Sequence, residues 1–201
     1  MKVVILDGIH DKKGMTSLLI KNFADGIKSV NSKAEIIQYD LLNEKIQFCK
    51  GCNKCMEQKA PINAKCSIDD VAISIKEEAL DCDVVVFASP IYELCVSSSM
   101  KRFLERCATL ITFRFGVTSR AKAIKGKYGV VLCSSGAPFP INYLMGITRY
   151  PKMILKLACK LFRCSKTKTL FAGGMRTNDK LKLKWANKAK RLGIEIANKC
   201  K

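Results

Sequence analysis

The chain has 201 residues, 48% hydrophobic and 26% charged, which suits one folded domain with a real core and excludes a disordered chain. Its 36 Lys and Arg against 17 Asp and Glu give a formal charge of +19, a field that draws anions: cofactor phosphates, nucleic acid, acidic membranes or acidic proteins. No apolar stretch reaches the length of a membrane span and Asp7 ends the opening apolar run too early for a signal peptide, so the expected location is the cytoplasm and the eleven Cys read as thiols or ligands.

Lys2–Asp7 is a short β-branched run followed by Gly8 and reads as a buried strand. Thr16 can cap the next segment, where Leu19, Phe23, Ile27 and Val30 recur at helical spacing. Ala34–Asp40 reads as a second strand, and a Cys-rich loop follows at 49–66. Ser67-x-x-Asp70 has the form of a capping box and opens a helix to about Leu80. Asp83–Ala88 is a third buried strand, turning at Ser89-Pro90. Ser97–Ile111 is predicted helical, with Met100, Phe103, Leu104, Cys107 and Ile111 on one face. Lys127–Cys133 is a fourth strand, leading into Ser134-Ser135-Gly136. Pro138, Pro140 and Pro151 break any single helix across 137–166 and leave Met153–Phe162 helical. Lys168–Ala172 is the last strand, and Asn178 or Asp179 caps a final helix through Trp185, Ala189, Leu192 and Ile196.

Strands thus alternate with helices, which predicts one α/β domain over 1–201: a parallel sheet with helices on both faces and right-handed crossovers. Ligands in such sheets bind beyond the carboxyl ends of the strands. The loops that leave those ends are Gly8–Thr16, Ser89–Glu93 and Ser134–Phe139.

In the first of them Gly14 permits unusual backbone conformations, Thr16 and Ser17 offer hydroxyls, and the helix start offers free N–H groups. Together these suit a phosphate, although a plain turn and cap would leave the same pattern. The loop is neither a GxGxxG fingerprint nor a P-loop, which counts against Rossmann-type dinucleotides and ATP. His10, the only histidine, can donate to a phosphate oxygen or sit solvated, and it has no triad partner for hydrolysis. Cys49, Cys52, Cys55 and Cys66 place four thiols within one loop, which suits an iron–sulfur cluster, a four-Cys zinc site or free redox thiols.

Gly8, Gly14 and Thr16 resemble the phosphate loop Gly-Ser-x-Arg-x-x-Gly-Asn-Thr of the NADPH-dependent FMN reductase and iron–sulfur flavoprotein families; Ile9, Asp11 and Met15 depart from it. Ser89-Pro90-Ile91-Tyr92 with Ser97, Lys101, Phe103, Glu105 and Arg106 is similar to their Ser-Pro-x-Tyr…Ser…Lys-x-Phe-x-Asp-Arg. Cys49-Lys50-Gly51-Cys52-Asn53-Lys54-Cys55, then Cys66 and Asp69-Asp70, resembles Cys-x-Gly-Cys-x-x-Cys…Cys…Asp-Asp, with a longer gap before the fourth Cys.

The resemblance implies a flavodoxin-like three-layer α/β/α fold with a five-stranded parallel sheet in order 2-1-3-4-5. It implies FMN, with its phosphate at Gly14, Met15, Thr16 and Ser17 near His10 and Lys12. The ring would lie against Pro90, Ile91, Tyr92 and Glu93, and Ser134, Ser135 and Gly136. It also implies a [4Fe–4S] cluster on Cys49, Cys52, Cys55 and Cys66. The expected activity passes electrons from NAD(P)H, or from an acidic electron-transfer protein, to a quinone, flavin or other small acceptor. The alternative is an electron carrier between ferredoxin-like proteins. No side chain is needed as a catalytic acid or base, and a homo-oligomer is expected.

No zinc-finger, RRM or helix-turn-helix pattern supports nucleic-acid binding. Between Arg106 and Asn178 there is no carboxylate, which predicts a positive face beside the flavin. Lys152, Lys156, Lys160 and Arg163 along one helical face suggest a membrane-surface protein as a rival class.

Overall fold

Alternate residues of a strand point to opposite sides of its sheet, and the apolar runs of this chain are apolar at both parities. In the computed structural model, which describes residues 1–57, 64–114, 117–138, 140–174 and 179–200, those runs are the centre of a sheet buried on both faces. The parallel strands are β1 (Lys2–Asp7), β2 (Glu35–Asp40), β3 (Val84–Tyr92), β7 (Ile124–Ser134) and β8 (Cys164–Ala172), in the order β2-β1-β3-β7-β8. Counted along the chain this is 2-1-3-4-5, as expected. A short strand β4 (Cys95–Val96) turns back on β3, and β5 (Ile111–Arg114) pairs antiparallel with β6 (Val117–Arg120) as a separate hairpin.

Val4, Leu6, Val85, Phe87, Val131 and Cys133 face one core, closed by α2 (Ala72–Asp81), α3 (Ser98–Arg106) and α5 (Arg149–Leu161). Val3, Ile5, Val84, Val86, Val130 and Leu132 face the other, closed by α1 (Met15–Val30) and α6 (Asp179–Lys199). The three-layer flavodoxin-like arrangement follows directly from that division. Helices α1 and α6 cross at Gly26 and Gly193. A methyl at Gly26 would overlap the Lys190 carbonyl, and one at Gly193 would overlap that of Phe23. The close crossing fixes α1, and therefore the position of its first turn above the sheet.

Several expectations need correction. The helix expected over Ser97–Ile111 ends at Arg106, passes through a 3₁₀ turn at Cys107–Leu110 and enters the β5–β6 hairpin, which the sequence reading missed. Pro151 does not break α5. It lies in the first turn, where its missing N–H would have had no intrahelical partner. A four-residue helix α4 (Ile141–Leu144) precedes it. Ser67 does not form a capping box: α2 starts at Ala72, and the Asp70 carboxylate accepts the Ala72 N–H at 3.0 Å. Phe139 and Asn178 lie outside the described residues.

Asp70 holds a second bond of longer reach. Its Oδ2 meets Arg106 Nη1 at 2.6 Å with both side chains buried, and Arg106 also donates to the carbonyls of Gln47 and Ile68 at 3.0 Å each. One guanidinium thus pins both ends of the Cys-rich segment to α3. Burial alone would push the Asp70 carboxyl up. The bonds from Arg106 and from the N–H groups of Gln47 and Ala72 outweigh it and hold the carboxyl below its usual range.

Candidate functional site

The carboxyl ends of β1, β3 and β7 lie side by side, so the loops that leave them meet at one end of the sheet. Asp7 closes β1 and is buried. Its Oδ1 accepts the Ile9 N–H at 2.9 Å, and its Oδ2 takes Gln38 Nε2 at 2.8 Å and Lys12 Nζ at 3.1 Å. Lys12 also pairs with Asp40 at 2.8 Å. Partial burial would lower the Lys12 pKa, but its bonds to Asp40 and Asp7 prevail and raise it. The ammonium is therefore held over the ends of β1 and β2, outside the cleft described next.

Helix α1 begins at Met15 with Gly14 as its N-cap, no capping side chain and no acid in the first turn. Its leading N–H groups and the positive end of its dipole remain available to an anion. Gly14 has φ −72° and ψ 173°, ordinary extended backbone, so the expected conformational role is not the one seen. What matters is its lack of a side chain: a Cβ there would meet the Asp11 carbonyl at 3.0 Å. Thr16 is buried, and its Oγ1 lies 2.7 Å from Ser134 Oγ across the cleft floor. Ser17 Oγ donates to the Asp11 carbonyl at 3.2 Å.

The opposite wall is the end of β3. Ser89 Oγ donates to the Pro90 carbonyl at 2.8 Å and accepts the Ser97 N–H at 2.9 Å, and Ser97 Oγ caps α3. Ser99 Oγ reaches the Gly8 carbonyl and His10 Nε2, each at 3.3 Å. These buried hydroxyls tie the Pro90–Tyr92 wall to the first loop. They also account for the spacing from Ser89 to Ser97 that the sequence displayed. Glu93 and Leu94 make the two-residue turn to β4, both at positive φ (44° and 60°).

Between these walls lies a cleft of about 510 Å³. The structure brings Gly14, Met15, Thr16, Pro90, Ile91, Tyr92, Ser134, Ser135 and Gly136 into its lining, as the sequence suggested. His10, Lys12, Ser17 and Glu93 lie outside that lining; the His10 ring stands 6.1 Å from that of Tyr92. Ile9 and Asp11 line the cleft and were missed. Ile9 is apolar in a loop otherwise read for its polar atoms. Asp11 departs from the family's loop pattern, and its Oδ1 accepts the Lys13 backbone N–H at 2.9 Å.

The Cys-rich segment lies apart from this cleft. Cys49 and Cys52 are exposed, and Cys55 and Cys66 are half-buried. Among the described residues no three His, Cys, Asp or Glu side chains come together as a metal would require. The four cysteines named from the sequence therefore do not form a ligand set here. Cys52 Sγ lies 3.1 Å from Ser67 Oγ. The Ser67 bond, aided by the Lys54 N–H, lowers the Cys52 pKa, while burial raises that of Cys55.

Comparison with known proteins agrees with this geometry. An iron–sulfur flavoprotein of Methanocaldococcus jannaschii is 30% identical over 122 residues, 61% of this chain and 58% of its own length, so the chain spans little more than half of that relative. An FMN-dependent NADH:quinone oxidoreductase of Methylorubrum extorquens is 26% identical over 140 residues, 68% of this chain and 69% of its own. Among solved structures, the NAD(P)H:quinone oxidoreductase from Methanothermobacter marburgensis superposes with a TM-score of 0.75 at 17% identity, covering 97% of this chain and 96% of that one, which establishes the shared fold. The family model for NADPH-dependent FMN reductase matches residues 1–146, a span that contains all three strand-end loops, and the chain belongs to that family.

Proposed function

We propose that the chain binds FMN in the strand-end cleft and passes electrons from NAD(P)H to a small acceptor such as a quinone. The observation that carries this reading is the uncapped first turn of α1, facing the Pro90–Tyr92 wall across a cleft of about 510 Å³. That volume lies within the range of small-molecule sites, roughly 300–1,000 Å³.

The residues fit the cofactor in three respects. The N–H groups at Met15 and Thr16 and the Thr16 hydroxyl suit a phosphate, as helix N-termini do. Ile9, Met15 and Ile91 supply apolar surface for a flat ring. Pro90 stiffens the backbone that would lie along the ring's edge, and half-exposed Tyr92 stands at the mouth of the cleft. The Asp11 carboxylate opposes a phosphate; its bond from the Lys13 N–H and the net charge of +19 offset that opposition.

When bound, FMN supplies the redox chemistry, taking a hydride equivalent and delivering electrons onward. The protein's own part is to hold and orient. The Thr16–Ser134 hydroxyl pair fixes the two loops against each other, and the Ser89, Ser97 and Ser99 network holds the facing wall. No side chain in the cleft is assigned a proton. The cysteines among the described residues do not fit a cluster as they stand.

The test is anaerobic mixing of the FMN-loaded protein with NADH or NADPH, followed by a benzoquinone. Loss of the bound flavin's visible absorbance on adding the nucleotide, and its return on adding the quinone, is the expected result. Flavin that stays oxidised with both nucleotides would exclude the NAD(P)H-dependent reading.

A further inference from the structure

Helix α5 is apolar on two sides. Pro151, Leu155, Ala158 and Cys159 are buried against the sheet, as a covering helix requires. At 100° per residue, Tyr150, Met153 and Leu157 fall on the opposite side, and they are 51%, 60% and 48% exposed. Arg149, Lys152, Lys156 and Lys160 run beside that outer stripe, all exposed. The apolar surface continues into α4, where Tyr143 is 72% and Leu144 75% exposed, and on to Met145 at 67%. Most of the exposed large apolar side chains among the described residues thus fall in one stretch, 141–157. Among the described residues, no carboxylate pairs with any of the four cations. Between α5 and the edge strand β8 lies a shallow depression of about 590 Å³, with Met153 and Leu157 in its lining and Lys156 and Lys160 beside them.

A single apolar residue on a surface means little, but a contiguous apolar patch flanked by cations marks an interaction surface. Three occupants are conceivable, and charge separates them. A second copy packed face to face on this stretch would bring two cationic stripes together, and residues 141–160 carry no carboxylate to offset them. An acidic protein would satisfy the cations without calling for the run of large apolar side chains. An anionic bilayer satisfies both: acyl chains and interface take the apolar stripe, and headgroups take the lysines.

We propose that the α4–α5 face docks the protein onto an anionic lipid surface, lying in the interface without crossing it. No helix among the described residues is long and apolar enough to span a membrane. Docking does not depend on the flavin. A consequence that does rest on the proposed function concerns the acceptor. Ser134, Ser135 and Gly136 line the cleft, and the chain runs on from them into α4. Docking would therefore hold that wall close to the lipid, within reach of an acceptor dissolved there.

The test is flotation of the full chain with vesicles of phosphatidylcholine alone or mixed with phosphatidylglycerol. Two triple variants accompany it: Lys152→Gln/Lys156→Gln/Lys160→Gln, and Leu144→Ser/Met153→Ser/Leu157→Ser. Their helical circular dichroism and thermal midpoints report whether they fold. The expected result is binding to the mixed vesicles only, weakened by salt and reduced about tenfold or more in each folded variant. Absence of binding to the mixed vesicles would overturn the proposal, as would binding that neither variant changes. A native dimer that the Ser variant dissociates, with no vesicle binding, would assign the face to a second copy instead. Tight association with polyglutamate but not with the vesicles would assign it to an acidic protein.

Discussion

Thr16 and Ser134 are 118 positions apart in sequence, yet their hydroxyls meet at 2.7 Å in the floor of the cleft. Removing either leaves the other without its buried partner, and a hydrogen bond to a charged group is worth about 1.5–3 kcal/mol. Thr16→Ala is therefore expected to lower FMN affinity about tenfold or more by calorimetric titration, and Ser134→Ala to lower it in the same direction. If both variants bind FMN as the native chain does, the phosphate is not held at α1. A second residue-scale expectation concerns the exposed Cys52, whose pKa is lowered first by the Ser67 hydroxyl. It should alkylate with iodoacetamide faster than Cys55 at neutral pH, since the thiolate is the reactive form. Ser67→Ala should move the midpoint of its pH–rate profile upward; an unmoved midpoint would show that the hydroxyl does not stabilise the thiolate. At this scale the sequence exposed what local spacing encodes. Thr16 and Pro90 stand at junctions of strand, loop and helix, where residue type is informative, whereas Gly14 matters for its missing side chain and not for the backbone freedom its type suggests. Asp7 was illegible because its partners are distributed: Gln38 lies on another strand, and Lys12 closes back over both. The resemblance places Lys12 near the phosphate, whereas its ammonium pairs with the carboxylates of Asp7 and Asp40.

The turn from β3 to β4 is the element most at odds with its residues. Glu93 and Leu94 both sit at positive φ, where a side chain costs roughly 1–2 kcal/mol and where hairpin turns favour Asn-Gly. Leu94→Gly is expected to stabilise the fold by about 1 kcal/mol, read as a higher denaturation midpoint in urea. A lower midpoint would mean that Leu94, half-exposed beside the cleft mouth, makes packing that outweighs its backbone strain. The crossing of α1 and α6 makes the opposite demand. Gly26→Ala or Gly193→Ala should lower stability by about 1–3 kcal/mol, because neither backbone can retreat. If either variant melts with the native chain, the two helices are further apart than described. The central strands β1, β3 and β7 were legible because buried apolar runs have few other uses. The β5–β6 hairpin was not, because Ile111 continues the helical spacing of Met100, Phe103 and Cys107, and nothing local announces that the helix stops at Arg106. Pro151 misled for a related reason: a proline inside a helix and one in its first turn look alike until the helix start is known.

At the scale of the molecule, the buried Arg106–Asp70 pair joins the Cys-rich segment to the sheet's covering helix. The Asp70 carboxyl is held below its usual range in the folded chain, so it adds stability above its unfolded pKa, about 3.9, and that stability is lost as pH falls toward the folded value. Asp70→Ala leaves a buried guanidinium without its charge partner and should cost about 3–5 kcal/mol near neutral pH. The variant's stability should also depend less on pH across the acid range than the native chain's, which equilibrium urea unfolding at several pH values can read. An unchanged acid slope would place the linkage elsewhere. The central claim is that the three strand-end loops form an FMN site whose phosphate rests on the first turn of α1. Titration of the apoprotein with FMN and, separately, with riboflavin tests it most directly, since the two ligands differ only in that phosphate. Two charge-assisted hydrogen bonds at about 1.5–3 kcal/mol each predict FMN tighter by about a hundredfold or more. Equal affinity for the two, or binding of neither, would contradict the account.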